Sequence, residues 1–231
     1  MLIHEDHELE EAAMNGVLPI IVPVSVFVPS TGAVTVTAYE AVWDACTVFE
    51  SRFADDPLSG SAKDYLISAV KSVVGDLGYA PDPRESRVTL EYSLDRITES
   101  IEKNAENAIL VTSPDQLCSY KCRLLHKPDP DDVSENTPLS VTICGDEIAS
   151  AASINDFSDT DAVEINVETA PDHRGRGFGR AAVAALSLEL IRRGERVSYK
   201  CAQSNTASGR IAESLGFTLD GRRLDIVCFE D

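Results

Sequence analysis

The stretch from residue 162 to residue 193 constrains this chain more than any other. Ala162 to Thr169 alternates Val163, Ile165, Val167 and Thr169 on one face with Glu164, Asn166 and Glu168 on the other, the two-residue period of a half-buried strand. From Gly179 to Arg193 the period becomes helical, with Ala182, Val183, Leu186 and Leu190 on one stripe and Gly194 as the stop. Between the two lies Arg174-Gly175-Arg176-Gly177-Phe178-Gly179-Arg180. Glycines at 175, 177 and 179 let the backbone come close to a ligand, so that several N–H groups converge on an anion where the helix begins. Three arginines add fixed positive charge. The ligand class this selects is a phosphate or diphosphate.

Around this segment the pattern predicts a run of short elements. Leu139 to Cys144 and Ile148 to Ser153 flank Gly145-Asp146-Glu147 as a hairpin, and Arg196 to Cys201 is the strand after the glycine-loop helix. Asn205 to Leu215 is a helix closed by Gly216, and Asp220-Gly221 is read as a turn joining strands Phe217–Leu219 and Leu224–Phe229. The first hundred residues carry no chemical motif. They predict a helix over Ser61–Leu77, with Leu66, Val70, Val73, Val74 and Leu77 at helical spacing, a strand over Arg87–Tyr92 after a turn at Pro81 and Pro83, and a second helix over Ser93–Ala105. Val17 to Pro29 is interrupted by Pro19, Pro23 and Pro29; it is too short for the roughly 20 residues of a membrane-crossing helix and reads as an edge strand or extended arm. Lys127 to Pro138, with three prolines and four acids, reads as a solvated loop.

Charge narrows the partners. A formal net charge of −19 argues against nucleic acid, whose binding draws on clustered cations. The distribution is uneven: from His173 to Arg223 ten lysines and arginines stand against four acids, a local excess suited to an anionic ligand. Acidic residues Glu5, Asp6, Glu8, Glu10 and Glu11 precede the first apolar stretch, where a secretory leader would be basic, so the expected location is the cytoplasm, with no membrane partner. Six cysteines at 46, 118, 122, 144, 201 and 228 include no C-x-x-C pair, and no metal site is expected. Cys118 and Cys122, four apart, would share one face of a helix.

Three known phosphate loops can be compared with residues 174–180. A Walker A loop requires a Lys-Ser/Thr pair that is missing here, and a dinucleotide fingerprint requires a third glycine where Arg180 stands. The R-x-x-G-x-G arrangement of Arg174, Gly177 and Gly179 resembles the pyrophosphate loop of the GNAT (GCN5-related N-acetyltransferase) superfamily. About thirty residues on, Asn205-Thr206-Ala207-Ser208 followed by Leu215-Gly216-Phe217 is similar to that family's second motif at matching spacing. The resemblance covers roughly Leu139 to Phe229. It implies an α+β fold with a GNAT-like mixed, mostly antiparallel central sheet and flanking helices, plus an N-terminal helix-containing segment. Residues 111–231 are the expected GNAT acetyltransferase domain, and residues 1–110 an N-terminal segment expected to contribute to substrate binding.

The resemblance implies acetyl-CoA as cofactor and a role for individual residues. Backbone at Val167, Glu168 and Thr169 would pair with the pantetheine arm, with the Val167 N–H polarising the thioester carbonyl. Arg174, Gly175, Arg176, Gly177, Phe178, Gly179 and Arg180 would hold the diphosphate, and Asn205 with Ser208 would meet the pantetheine. Transfer to an amine also requires a base. Glu164, Glu168 and Asp161 are the candidates, and Glu164 is preferred for its place in the strand just before the cofactor-binding backbone. Many GNAT enzymes carry a tyrosine four residues before the Gly-Phe pair as general acid; here that position is Ala212. Tyr199, Cys201 and Ser204 are nearby alternatives, and a CoA thiolate can also leave without strict protonation.

Two functions compete. One is an acetyl-CoA-dependent N-acetyltransferase for a small-molecule amine, favoured by an acidic first 134 residues (23 acids against 10 bases) that suit a cationic acceptor. The other is an acyl-CoA-binding sensor or partner-binding module without catalysis, favoured by the missing tyrosine. Nothing in the sequence argues for protein acetylation, and nothing speaks to the oligomeric state.

Overall fold

The computed structural model describes residues 2–5, 19–125, 133–155 and 161–230. Asp6, Glu8, Glu10 and Glu11, Val17 and Leu18, and residues 127–132 of the expected acidic loop lie outside the described residues. The strands are β1 (Leu2–Glu5), β2 (Ile20–Pro29), β3 (Thr35–Ala38), β4 (Tyr79–Pro81), β5 (Val88–Leu94), β6 (Ile109–Val111), β7 (Lys121–Cys122), β8 (Leu139–Cys144), β9 (Glu147–Asn155), β10 (Val163–Thr169), β11 (Val197–Ala202) and β12 (Thr218–Glu230). The helices are α1 (Trp43–Phe53), α2 (Gly60–Val74), α3 (Glu99–Ala105), α4 (Phe178–Arg192) and α5 (Thr206–Leu215). No helix among the described residues is long and apolar enough to cross a membrane.

The chain divides into two compact units. The first comprises residues 1–91, 202–204 and 220–231; the second comprises residues 92–201 and 205–219. The boundary expected after residue 110 falls inside β6, within the second unit.

In the first unit β1, β3, β2 and β12 lie side by side, with β4 on β12. β1 and β3 pair parallel, while β3–β2, β2–β12 and β12–β4 are antiparallel. α2 presents Leu66, Val70 and Val74 to a core that also holds Val24, Val26, Phe49, Leu224 and Ile226, as the helical spacing predicts. Its start is capped by Ser59, whose hydroxyl accepts from the Ala62 N–H. β2 is an interior strand, paired on both sides, and not the edge strand that its prolines suggest. Pro23 is tolerated because the register against β12 shifts there: Ile226 faces Val24, while Cys228 faces Ile21, leaving a bulge in β2 where no ladder donor is required.

Asp220-Gly221 is no turn. β12 runs through it without a break, and Gly221 faces Pro29 of β2. A Cβ on Gly221 would lie 2.5 Å from the Val28 carbonyl oxygen and 2.7 Å from the Phe27 ring, so glycine serves a close approach of backbone and ring.

In the second unit the sheet order is β11-β10-β9-β8-β6, antiparallel apart from the β10–β11 pair and the short β7–β9 pair. Cys118 and Cys122 share no helix, because a 3-10 turn over Pro114–Leu117 leads directly to β7. The predicted helix over Ser93–Ala105 loses its first half: β5 continues to Leu94, and Thr98 starts α3 by accepting the Ile101 N–H with its hydroxyl. α4 buries Ala182, Val183, Leu186 and Leu190 against β8, β9 and β10 and packs its other side on α3, which its alanines allow to come near. Each buried leucine of this face contributes about 1.5–3 kcal/mol.

Candidate functional site

The site begins where two parallel strands part. β10 and β11 are in register only at Val163–Val197 and Glu164–Ser198. On its other side β10 stays paired to β9 as far as Thr169–Ser150. The β10 edge from Asn166 to Thr169 therefore faces a gap in place of a strand. On the helical side the gap borders the first turn of α5, where the Ser208 hydroxyl lies 2.9 Å from the buried Tyr199 hydroxyl.

Beyond Thr169 a 3-10 turn over Pro171–His173 leads to an extended Arg174. Gly175 and Gly177 take φ of +73° and +85°, conformations closed to most side chains, and Gly177 caps α4. The first bond inside the helix runs from the Ala181 N–H to the Gly177 carbonyl, so the N–H groups of Phe178, Gly179 and Arg180 point out of its end. Gly179 is needed for space: a Cβ there would sit 2.7 Å from the Thr169 hydroxyl oxygen and 3.4 Å from Ile211.

Two of the loop's three arginines are held by neighbours. Arg174 donates from Nε to the Thr169 carbonyl at 3.4 Å. Arg176 lies 3.1 Å from His173 Nδ1 and 4.9 Å above the Phe178 ring, and the other His173 nitrogen is 3.5 Å from Glu147. Arg123 also reaches Glu147, at 3.1 Å. These contacts hold the Arg176 guanidinium along the loop.

Loop, strand edge and α5 together enclose a cavity of about 850 Å³. Its wall includes Val167, Glu168, Thr169, Arg174, Gly175, Arg176, Gly177, Phe178, Gly179, Arg180, Asn205 and Ser208, which are all the expected cofactor-contacting residues. Sequence reasoning missed His173 and, on α5, Ala207, Arg210, Ile211 and Ser214. The signal was present: Ser208, Ile211 and Ser214 recur at helical spacing along one face. Four arginines line the wall with one carboxylate, Glu168, whose Oε1 accepts the Leu125 N–H at 2.6 Å. Such a wall attracts a polyanion at its loop end.

Asn205 caps α5, its Oδ1 accepting the Ser208 N–H at 3.2 Å, and lines the cavity. Ala212 is fully buried and carries no hydroxyl. Burial pushes the Tyr199 phenol up to about 12, and burial followed by the Glu213 charge raises Cys201. Ser204 and Asp161 are exposed. Glu164 stands apart from the cavity wall. It is 6% exposed at the point where the strands part, with Oε1 accepting from Asn155 Nδ2 at 2.7 Å and Oε2 3.1 Å from Lys200 Nζ.

A family model described as GNAT acetyltransferase matches residues 132–222. Over residues 132–222, then, the chain is GNAT-like. The fold is similar to that of a GCN5-related N-acetyltransferase-like protein from Streptococcus suis 89/1591, with 18% identity over 91% of this chain and 87% of that one and a TM-score of 0.50. A GNAT-family protein from Novosphingobium aromaticivorans DSM 12444 is 16% identical over 67% of this chain and 68% of its own, with a TM-score of 0.49. Salmonella typhimurium yncA, solved with its cofactor acetyl-CoA, is 26% identical over 39% of this chain and 65% of its own, with a TM-score of 0.33. No curated protein matches the chain.

Proposed function

We propose that the chain is an acetyl-CoA-dependent N-acetyltransferase acting on the amine of a small cationic molecule. The observation that carries this reading is the open β10 edge running straight into a loop whose helix-end N–H groups and arginines surround one cavity. Both ends of the cavity suit coenzyme A. The loop end offers N–H groups and guanidinium groups to a diphosphate, and the strand edge offers backbone to an amide-bearing arm.

Bound there, acetyl-CoA supplies a thioester acyl group open to attack by an amine. Residues 174–180 hold the diphosphate, Val167 to Thr169 hold the arm, and the Val167 N–H polarises the acyl carbonyl. Asn205 and Ser208 steady the arm from the α5 side. Glu164 would take a proton from the acceptor's ammonium group, leaving the neutral amine that attack on a thioester requires. Tyr199, touching the cavity wall through Ser208, and water are the sources of a proton for the departing thiolate. The acidic first 134 residues favour approach of a cationic acceptor.

A second reading, an acyl-CoA-binding module without turnover, is favoured by the buried Ala212 in place of a hydroxyl-bearing residue. Calorimetry with CoA and acetyl-CoA, followed by thiol release against a panel of amines, separates the two. Binding with turnover supports the transferase, binding without turnover on any amine supports the sensor, and no heat at millimolar ligand removes both.

A further inference from the structure

We infer that the buried Glu164–Lys200 pair is the subsite for the acceptor's ammonium group, with Lys200 Nζ occupying it until a primary alkylammonium displaces it. This rests on the transferase reading and names the chemistry of its acceptor.

The parallel register sets Glu164 beside Ser198, so both side chains leave the same face of the sheet, and Lys200, two residues on, joins them. The ion pair at 3.1 Å confirms that shared face. Asn155, opposite Glu164 on β9, donates to the remaining carboxylate oxygen. The Ser198 hydroxyl is 7% exposed as a residue and has no hydrogen-bond partner among the described residues. A buried hydroxyl without a partner is costly, and it stands next to a buried carboxylate already holding a cation.

A lysine head group is itself a primary alkylammonium with three donors. The subsite therefore displays its ligand chemistry in the free protein: Glu164 accepts one N–H, and the Ser198 hydroxyl is a second acceptor for a better-placed ammonium. Lys200 keeps 23% of its side chain exposed, so its head can leave toward solvent as the acceptor enters. The same face continues outward through exposed Asn166 to Glu168, which lines the cofactor cavity, so the subsite and the cavity lie along one strand. The carboxylate that receives the ammonium is then the one that takes its proton, giving a neutral amine and a protonated Glu164.

The test reads Lys200 directly. In phosphate buffer, the ¹H–¹⁵N ammonium resonance of Lys200, assigned with Lys200→Met, is followed while n-butylammonium or tetramethylammonium is added without acetyl-CoA. Saturable loss of the slowly exchanging Lys200 signal with the primary amine, and none with the quaternary ion that has no N–H, is the expected result. A Lys200 resonance unmoved at amine concentrations that support turnover overturns the inference while leaving the transferase intact. Absence of acetyl-CoA binding, by contrast, removes the transferase but not the displacement. In steady state, Lys200→Met lowers the KM for the amine about 5-fold and Ser198→Ala raises it several-fold, each with an unchanged Kd for acetyl-CoA. If Lys200→Met fails to fold, Lys200→Arg serves in its place, its forked guanidinium competing better and raising KM. Unchanged KM in folded Ser198→Ala and Lys200→Arg overturns the inference.

Discussion

Gly179 and Thr169 meet with no room for one further carbon atom: a Cβ on Gly179 would stand 2.7 Å from the Thr169 hydroxyl oxygen. The first turn of α4 therefore lies as close to the end of β10 as the chain permits. Gly179→Ala must push the loop off the strand, costing about 1–3 kcal/mol of stability and at least 10-fold in CoA affinity. Thr169→Ala in the same chain removes the colliding oxygen and restores most of the affinity. Calorimetry on the single and double variants checks this, and failure of the double variant to recover places the collision elsewhere.

Arg176 is held by His173 and Phe178, ready for a diphosphate. Arg176→Gln should weaken CoA about 10-fold and flatten the dependence of Kd on salt, as expected for one lost charge-assisted contact. Arg52→Gln, in α1 of the other unit, should leave both unchanged. Equal salt slopes for all three proteins would exclude Arg176 from the anion site.

Glu164→Gln keeps the shape of the side chain and removes its basicity. Turnover should fall 100-fold or more with Kd for acetyl-CoA unchanged. Turnover equal to that of the unaltered chain would take Glu164 out of the chemistry.

Gly221→Ala tests the reading of Asp220-Gly221. Were it a turn, alanine would be a mild change. Inside β12, against Phe27 and the Val28 carbonyl, it should lower stability by roughly 1–3 kcal/mol by overpacking. Urea denaturation decides, and a loss below a few tenths of a kcal/mol contradicts the continuous strand.

Burial raises the thiols of Cys46 to about 11 and Cys228 to about 12, and the Tyr199 phenol to about 12. All three fold best protonated, while in the unfolded chain they ionise near 9 or 10. Their contribution is thus complete below pH 9 and disappears as pH climbs from 9 toward 12. Denaturation midpoints should decline between pH 8 and pH 10.5, less so in Cys228→Ala; a flat or rising midpoint would contradict the burial.

The loop, its flanking strand and helix, and the cap at Asn205 were legible because each depends on neighbours in sequence. What was missed depends on residues far away. Phe27 decides that Gly221 is a strand residue, a bulge opposite Ile226 lets Pro23 sit inside a sheet, and Glu164 meets its cation 36 positions later on β11. The late start of the helix expected over Ser93–Ala105 was closer to hand: Thr98 stands three residues before Ile101 as a local cap signal.

β2 finds its partner in β12, with Pro29 opposite Gly221 and Ile20 opposite Phe229. Almost two hundred residues separate the two strands, so a ribosome must pass position 229 before the first unit can complete its sheet. Until then β2 offers one unpaired, mostly aliphatic edge to whatever is nearby. Synthesis of this chain should accordingly rely on chaperone shielding more than its size suggests, and tags placed after residue 230 should disturb the folding of the amino-terminal half before that of the loop-bearing half.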